Sequence, residues 1–403
     1  MILFKPENLD LGGVKYELRY YYLLHTLFMR RCFDKEIIEN QFIPLHAQTI
    51  KRVIGKNYRK FIDNLIQWGI LESDGQYIPN EKSIGFRISK KYNSAGFKPI
   101  EVTDQFLIDK INQHKKELNK PAKEKYPILW DNLQHIEIDF KKAFQWIENN
   151  AETSEQYNSY LGSIEAIRLK DWFFAIGEKS NRLFYNIAGL KRELRQFLRY
   201  KNQPLFEVDI ANSQPLFLNT LIQNFLKKAN NISRGLDSYY GNIIILSYDA
   251  LKETDTSFID LALYQDLTQK AEFYKFLQKE MNYQGSYDVF KVDVFSKIFY
   301  NAKRKNQSTE WKQFKKIFPT VSKAIEYFQK DDYRDLAIKL QQAESDLMLN
   351  KVVPKLAKEN IYCLSVHDSL LVLEKDIPKT VEVIKREFKT SHNLEVTLKI
   401  KGV

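Results

Sequence analysis

The chain has 403 residues and a formal net charge of +11 at pH 7, from 62 Lys and Arg against 51 Asp and Glu. This length allows two or three domains with a sizeable core, and the basic balance favours a polyanionic partner without identifying it. The two cysteines, Cys32 and Cys363, suggest neither a disulfide framework nor a zinc site, so we expect a reduced, intracellular setting. We find no leader and no apolar run of about 18 residues, which predicts a soluble, cytoplasmic protein without a membrane segment.

Residues 1–95 show the order helix, turn, helix and β wing. The predicted helices are one around Tyr20 to Arg31, then Thr49 to Gly55 and Asn57 to Trp68, and the predicted strands are Ile70 to Glu72, Gln76 to Pro79 and Gly85 to Ser89. The stretch from Tyr58 to Glu72 resembles the winged-helix domains of plasmid replication initiators. The exposed side of the second predicted helix would carry Lys56, Arg59 and Lys60, a set suited to contacts with nucleic-acid phosphates. The alternative is that these basic residues only solvate a helix face.

Residues 96–180 are predicted to be mostly helical and polar, with charged clusters such as Lys115 to Lys125. Nothing catalytic stands out in this stretch. Because this stretch directly precedes the region 181–403, we expect it to be a thumb-like or linker region.

Two aspartates lie in apolar, strand-like runs of the region 181–403. Asp209 follows Leu205-Phe-Glu-Val, and Asp368 lies between the runs Leu364 to Val366 and Leu370 to Leu373. A carboxylate in a buried strand is costly unless a positive charge compensates it, and a divalent metal shared by both would do so. Two carboxylates that hold metal ions against a nucleoside triphosphate are the core chemistry of a polymerase.

The same region resembles the family A DNA polymerases, the superfamily of DNA polymerase I and the phage-type single-subunit RNA polymerases. Asp209-Ile-Ala-Asn-Ser-Gln214 is similar to the first catalytic motif, Asp-Tyr-Ser-Gln-Ile-Glu, and His367-Asp368-Ser369 is similar to the second, at the tip of a β-hairpin. Further matches are Arg182 in a Gly-Arg-Leu-like element, Arg195 with Phe197 in an Arg-x-x-Phe-like element, and Gln341 with Asp346 in a Met-Gln-Gly-Thr-Ala-Ala-Asp-like helix. The resemblance implies that Arg182, Arg195, Gln341 and His367 contact the nucleic acid.

Between the aspartates the family places a fingers helix, Arg-x-x-x-Lys-x-x-x-Phe-x-x-x-Tyr-Gly, which binds the incoming nucleotide. The best register here puts Lys291, Phe295 and Phe299 four residues apart, so that they form one helical stripe. The leading arginine is replaced by Tyr287, and the final Tyr-Gly by Phe299-Tyr300. Lys297 offers a competing register.

The resemblance implies an α/β (α+β) protein whose region 181–403 is a right-hand palm, with helical fingers inserted at about 220–330. Asp209 and Asp368, with the main-chain carbonyl of Ile210, would hold two Mg²⁺ ions, for which Mn²⁺ can substitute. The implied partners are nucleoside triphosphates and a DNA primer-template, with RNA as the alternative.

In the family that the chain resembles, a bulky residue five positions after the first aspartate blocks a ribose 2′ hydroxyl. The resemblance therefore implies that Gln214, at that position, favours deoxynucleotides, whereas Ser369 follows the RNA polymerase pattern. We therefore predict a minimal DNA polymerase of a phage, plasmid or mobile element. The alternatives are an RNA polymerase or primase, a reverse transcriptase or template-independent synthetase in antiphage defence, and an inactive nucleic-acid-binding protein. Primer requirement, sequence specificity and oligomeric state are left open by the sequence.

Overall fold

The computed structural model describes residues 1–33, 41–78, 83–232, 259–300 and 308–402. The chain forms two compact units, residues 1–175 with 184–205 and residues 176–183 with 206–402. Both combine helices with antiparallel strand pairs, which confirms the α+β class. No helix among the described residues is both long and apolar enough to span a bilayer. The boundaries at 95 and 180 stay a prediction, and the predicted fingers include residues 233–258 and 301–307, which lie outside the described ranges.

The first unit contains most of the short strands. Its helices are α1 (Glu17–Phe33), α2 (Ala47–Ile54), α3 (Tyr58–Gln67), α4 (Lys90–Asn93), α5 (Gln105–Lys125), α6 (Pro127–Gln134), α7 (Phe140–Asn150), α8 (Ser154–Arg168), α9 (Asn186–Gly189) and α10 (Arg192–Arg195). The strands that lie wholly or mainly in it are β1 (Ile2–Pro6), β2 (Ile43–Pro44), β3 (Leu71–Ser73), β4 (Gly85–Ile88), β5 (Phe97–Glu101), β6 (Ile136–Ile138), β7 (Phe174–Ile176), β8 (Leu183–Tyr185) and β9 (Leu198–Tyr200).

The predicted order of elements in residues 41–90 is present. Helix α2 buries Ile50, Val53 and Ile54, and helix α3 buries Phe61, Ile62 and Leu65, as their apolar spacing requires. Gly69, with φ +67°, ends α3 in the left-handed conformation that suits glycine. Strand β4 pairs antiparallel with both β2 and β3. The predicted strand Gln76 to Pro79 forms only a single bridge, at Ile78, and Pro79 lies outside the described ranges.

The second unit carries both aspartates. Its helices are α11 (Ser213–Ile232), α12 (Ile259–Gln269), α13 (Phe273–Glu280), α14 (Tyr287–Val294), α15 (Thr309–Ile317), α16 (Pro319–Phe328), α17 (Asp335–Ser345), α18 (Val353–Lys358) and α19 (Ile377–His392). π-Helical segments continue α14 (Phe295–Phe299) and α17 (Asp346–Val352), and a 3-10 turn (Glu374–Asp376) precedes α19. Its strands are β10 (Gln203–Ile210), which begins in the first unit, β11 (Cys363–Val366), β12 (Ser369–Leu373) and β13 (Leu398–Gly402).

A buried β-hairpin organises the second unit. Every residue of β11 and β12 is buried, as their mostly apolar sequence predicts for strands covered on both faces. Helix α18 contacts β11, and helix α19 contacts β12. Beside the hairpin, the end of β10 pairs antiparallel with β13. This arrangement fixes the residues at the turn of the hairpin and at the end of β10.

Candidate active site

Asp209 lies near the end of strand β10, in the part that pairs with β13. Its neighbours Val208 and Ile210 are buried, whereas the Asp209 side chain keeps 24% of its surface exposed. Because successive strand residues point to opposite faces, the alternation turns Asp209 away from the apolar core. The residue opposite Asp209 on β13 is Lys399.

Asp368 occupies the two-residue turn between β11 and β12. His367, the other turn residue, has φ +56°, the left-handed conformation that tight hairpin turns require. The prediction of a hairpin with His367 and Asp368 at its tip is therefore confirmed as secondary structure. The backbone N–H of Ile210 donates a hydrogen bond of 3.2 Å to the carbonyl oxygen of Asp368. This bond places the turn directly against the end of β10 and so brings the two aspartates together.

Both aspartates resist ionisation. Burial, and then the Asp368 carboxylate, raise the pKa of Asp209 to about 6, although Lys401 and Lys399 oppose the shift. Burial, and then the Glu344 carboxylate, raise the pKa of Asp368 to about 7. The cause in each case is loss of water followed by repulsion from another acid. The nearby cations therefore do not offset the combined cost of burial and repulsion for either carboxylate.

A third carboxylate, Glu344 on α17, belongs to the same cluster. Its side chain is 1% exposed and forms a bidentate ion pair with Arg182, with distances of 3.0 Å from Nε to Oε1 and 2.7 Å from Nη2 to Oε2. Gln214 Nε2 also donates to Glu344 Oε2, at 2.8 Å. Despite these donors, burial raises the pKa of Glu344 above its ordinary value.

Tyr300, at the end of the segment predicted to form the fingers, contacts Gln214. The Tyr300 hydroxyl donates to Gln214 Oε1 at 2.9 Å. Burial raises the pKa of Tyr300 to about 12, so the hydroxyl keeps its proton at neutral pH. The predicted nucleotide-binding residue Gln214 is itself only 6% exposed and is bonded at both ends of its amide.

The predicted stripe of Lys291, Phe295 and Phe299 runs into the π-helical segment Phe295–Phe299, so its three side chains do not follow regular α-helical spacing. Lys291 lies on α14, half-buried, 3.5 Å from Asp288 Oδ1 and above the ring of Tyr287. Phe295 is half-buried, but Phe299 has no exposed surface and packs against Phe273. A nucleotide contact by Phe299 stays a prediction, and it would require this side chain to leave the core.

Two lysines of β13, Lys399 and Lys401, lie beside Asp209. Lys401 Nζ lies 3.7 Å from Asp209 Oδ2. Burial, and then the charge of Lys291, lower the pKa of Lys399, and Lys401 and Lys275 act in the same direction. The mutual influence of these groups shows that they lie near one another. We call Lys275, Lys291, Lys399 and Lys401 the cationic cluster: Lys399 and Lys401 act on Asp209 directly, and Lys275 and Lys291 act on Lys399.

The other predicted site residues lie as follows. Gln341 is half-buried on α17, one turn before Glu344. Arg195 belongs to the first unit, where its Nε donates to the carbonyl of Leu190. Arg59 and Lys60 are exposed on α3, also in the first unit. The nucleic-acid contacts of all these residues remain predictions.

The sequence did not single out Glu344, Tyr300, Lys399 or Lys401. Thr397 to Lys401 alternates polar and apolar residues, the pattern of a half-exposed strand, and this could have placed Lys399 and Lys401 on one face. Nothing local marks Glu344, because a Glu in a helical run is most often solvated.

The residues present suit a magnesium ion in part. Within the described ranges, no group of three or more His, Cys, Asp or Glu side chains is arranged to hold a metal. Magnesium, however, commonly takes one or two carboxylates and completes its shell with water and substrate phosphates. Burial first, and then a nearby acid, raise the pKa of Asp209 and of Asp368, and a bound divalent cation would favour the ionised form of both. The predicted set of Asp209, Asp368 and the Ile210 carbonyl is compatible with this chemistry.

No protein-family model matches the chain, and no curated protein matches it. Among solved structures, it is similar to the POL domain of Pol1 from M. smegmatis in complex with DNA primer-template and dNTP, with a TM-score of 0.29 and 13% identity. The match covers 65% of this chain and 55% of that chain. A likeness at this level defines neither a fold nor a family.

The raised pKa of Asp368 predicts a gain in stability on its replacement. An acid whose pKa is higher in the folded state destabilises that state as pH rises, because the unfolded chain gives up the proton first. Each unit by which the pKa in the folded state exceeds the pKa in the unfolded state lowers the free energy of unfolding by about 1.4 kcal/mol when the acid is ionised in both states. The pKa of Asp368 is raised from 3.8 to about 7, a shift of about three units, so we expect the free energy of unfolding of Asp368→Asn to exceed that of the parent chain by up to about 4 kcal/mol at pH 8 in a chelator, and by less at pH 5. Denaturant titrations at both pH values measure this.

Asp331→Asn is the matched control, because Asp331 is exposed in the same unit. It should leave the free energy of unfolding unchanged at both pH values. An Asp368→Asn protein that is less stable than the parent at pH 8 would contradict the charge analysis.

Proposed function

We propose that this protein is a nucleotidyltransferase that extends the 3′ end of a nucleic-acid strand along a template, and that it adds deoxynucleotides to DNA. The observation that carries the proposal is the pair of acidic side chains, Asp209 and Asp368, which one backbone hydrogen bond holds together at the end of β10. Both are kept from ionising freely by burial and by nearby acids. Such a pair suits divalent cations and a triphosphate.

The sequence motifs support the proposal independently. The elements that resemble the family A polymerases at Arg182, Asp209, Gln341 and Asp368 all lie in the second unit. Gln214 and the end of the fingers segment, which the same resemblance assigns to the incoming nucleotide, meet through the bond between Gln214 and Tyr300.

In the proposed mechanism, Asp209, Asp368 and the Ile210 carbonyl hold two Mg²⁺ ions. Bound there, the ions would lower the pKa of the primer 3′ hydroxyl and neutralise the leaving pyrophosphate. The lysines of the cationic cluster attract the triphosphate and balance its charge. Arg182 is held by Glu344, so its guanidinium approaches the nascent pair from a fixed position.

The packing around Gln214 favours deoxynucleotides over ribonucleotides. Gln214 is bulky, and its amide is bonded on both sides. Ser369, which follows the RNA polymerase pattern, is 1% exposed, and its hydroxyl donates to Glu207 Oε1 at 2.8 Å. In this proposal the Ser369 hydroxyl serves the contact between the hairpin and β10, and Gln214 is the side chain that discriminates between the sugars.

We further propose that the N-terminal region acts as a winged helix that binds DNA through α3, and that the chain serves replication of a phage, plasmid or other mobile element.

The alternative polymerase activities can be separated in one extension assay that crosses primed DNA, primed RNA and unprimed templates with dNTPs and with NTPs. Incorporation of NTPs alone would identify an RNA polymerase or primase. Extension on RNA templates alone would identify a reverse transcriptase.

Replacing either aspartate should abolish nucleotide addition. We expect Asp209→Asn and Asp368→Asn each to lower kcat by about a thousandfold or more, because a catalytic metal ion supplies several kcal/mol of barrier reduction. Binding of a primed duplex should stay within about threefold of the parent, since no phosphate-binding cation is removed. Primer extension and fluorescence anisotropy measure the two quantities. Asp331→Asn again serves as the control, and near-normal extension by either active-site variant would refute the assignment.

The cationic cluster should govern nucleotide affinity. We expect Lys291→Ala and Lys399→Ala each to raise KM for the nucleotide by about tenfold, as loss of a charge-assisted contact requires. Steady-state kinetics at saturating primer-template measure this. Lys385→Ala removes an exposed lysine of α19 in the same unit and should leave KM unchanged. Equal KM values for all three variants would remove the cluster from the mechanism.

The exposed face of α3 should contribute phosphate contacts. We expect the double variant Arg59→Ala/Lys60→Ala to bind duplex DNA more weakly and to reduce the slope of log K against log salt by about 2. A matched double variant, Lys98→Ala/Lys116→Ala, removes two exposed lysines elsewhere in the first unit. If both double variants change the slope equally, α3 is not a dedicated DNA-binding face.

A further inference from the structure

Glu344 is a buried acid in contact with donors from two other segments of the chain. Its oxygens accept from Arg182 Nε and Nη2 and from Gln214 Nε2, at distances between 2.7 and 3.0 Å. With 1% of its surface exposed, it has no water to replace these partners. Glu344 therefore fixes the positions of both side chains at once.

The contacts of Gln214 fix which end of its amide faces Glu344. A carboxylate only accepts hydrogen bonds, so the amide nitrogen must face Glu344. The carbonyl oxygen then faces Tyr300, whose hydroxyl donates to it at 2.9 Å. Turning the amide over would set its oxygen against the Glu344 carboxylate and lose that bond, while the Tyr300 hydroxyl could still accept from the amide nitrogen. The side chain of Gln214 thus has one favoured orientation.

We propose that Glu344 is the positioning residue for sugar selection: it holds the Gln214 amide rigid between Glu344 and Tyr300, so that a ribose 2′ hydroxyl cannot push it aside. This inference rests on the proposed function, because it assumes that nucleotides bind beside Gln214. A bulky side chain excludes a hydroxyl only if moving it is costly. Here displacement would leave a buried carboxylate short of a donor and a buried phenol without its acceptor, which is expensive.

A simpler role for Glu344 would be to neutralise Arg182 and nothing more. The two roles differ in what a reciprocal exchange does. In Gln214→Glu/Glu344→Gln, the new carboxylate at 214 accepts from Tyr300 and from the amide at 344, and that amide's oxygen accepts from Arg182. In the exchange variant the side chain at position 214 is again hydrogen-bonded on both sides, but Arg182 has lost its carboxylate partner.

The experiment compares dNTP and NTP incorporation, as the ratio of their kcat/KM values, in the full-length parent chain, in Glu344→Gln and in the exchange variant. In Glu344→Gln the amide at 344 can either donate or accept, so two orientations of Gln214 become similar in energy. We expect the ratio to fall about tenfold, the value of one buried hydrogen bond. The fall should come from a lower KM for NTPs, with KM for dNTPs little changed. The exchange variant should recover the ratio to within about threefold of the parent.

Tyr300→Phe provides a second route to the same result. It removes the other bond to the Gln214 amide and leaves the pair of Arg182 and Glu344 intact. We expect the same direction of change in the ratio, with a parent-like melting temperature. This variant keeps the proposal testable if Glu344→Gln folds poorly.

The outcomes separate the inference from the proposed function. If the parent chain adds neither kind of nucleotide, the proposed function fails and the inference fails with it. If the parent is active and folded Glu344→Gln keeps the parent ratio, the inference alone is overturned. A ratio that falls in Glu344→Gln but is not recovered in the exchange variant also overturns it, since Glu344 would then act only through Arg182.

Discussion

The hydrogen bond from the Ile210 N–H to the Asp368 carbonyl is the constraint on which the candidate site depends. It joins the end of β10 to the turn of a hairpin far along the chain, and it is made by the backbone. The proximity of the two carboxylates therefore persists whether or not they are protonated. The buried Val208 and Ile210 on one side, and the fully buried β11 and β12 on the other, fix the register, because a slip of one residue would turn Asp209 into the core.

A fold that buries acids beside one another must accept their loss of water first and their mutual repulsion second. The pKa values of Asp209 and Asp368 are raised to about 6 and about 7, and Glu344 is displaced in the same direction, although Arg182 and Lys401 lie nearby. A chain selected for stability alone would separate these groups or replace them with apolar residues. Buried neighbouring acids with strongly raised pKa values are typical of functional sites, where the chemistry requires an arrangement that costs stability.

The sequence predicted those parts of the site that depend on local pattern. The hairpin around Asp368 and the strand before Asp209 follow from apolar runs, so their secondary structure could be read directly. Lys401 approaches Asp209 only because β13 pairs with β10, and no local signal reveals a strand partner so far away in the chain. The sequence predicted Lys291, Phe295 and Phe299 on one helical stripe, but the π-helical turn at Phe295–Phe299 changes the helical spacing there, and it is Tyr300 that contacts Gln214.

Glu344 shows why a buried polar network is harder to predict than a hydrophobic core. Its neighbours in sequence make an ordinary amphipathic helix, and the donors that make its burial tolerable come from positions more than a hundred residues away. A buried ion pair contributes little net stability compared with apolar packing, but removing one partner is costly. The network of Arg182, Glu344, Gln214 and Tyr300 therefore adds specificity of arrangement more than stability. Such specificity is useful where one side chain must hold its position against a small hydroxyl group.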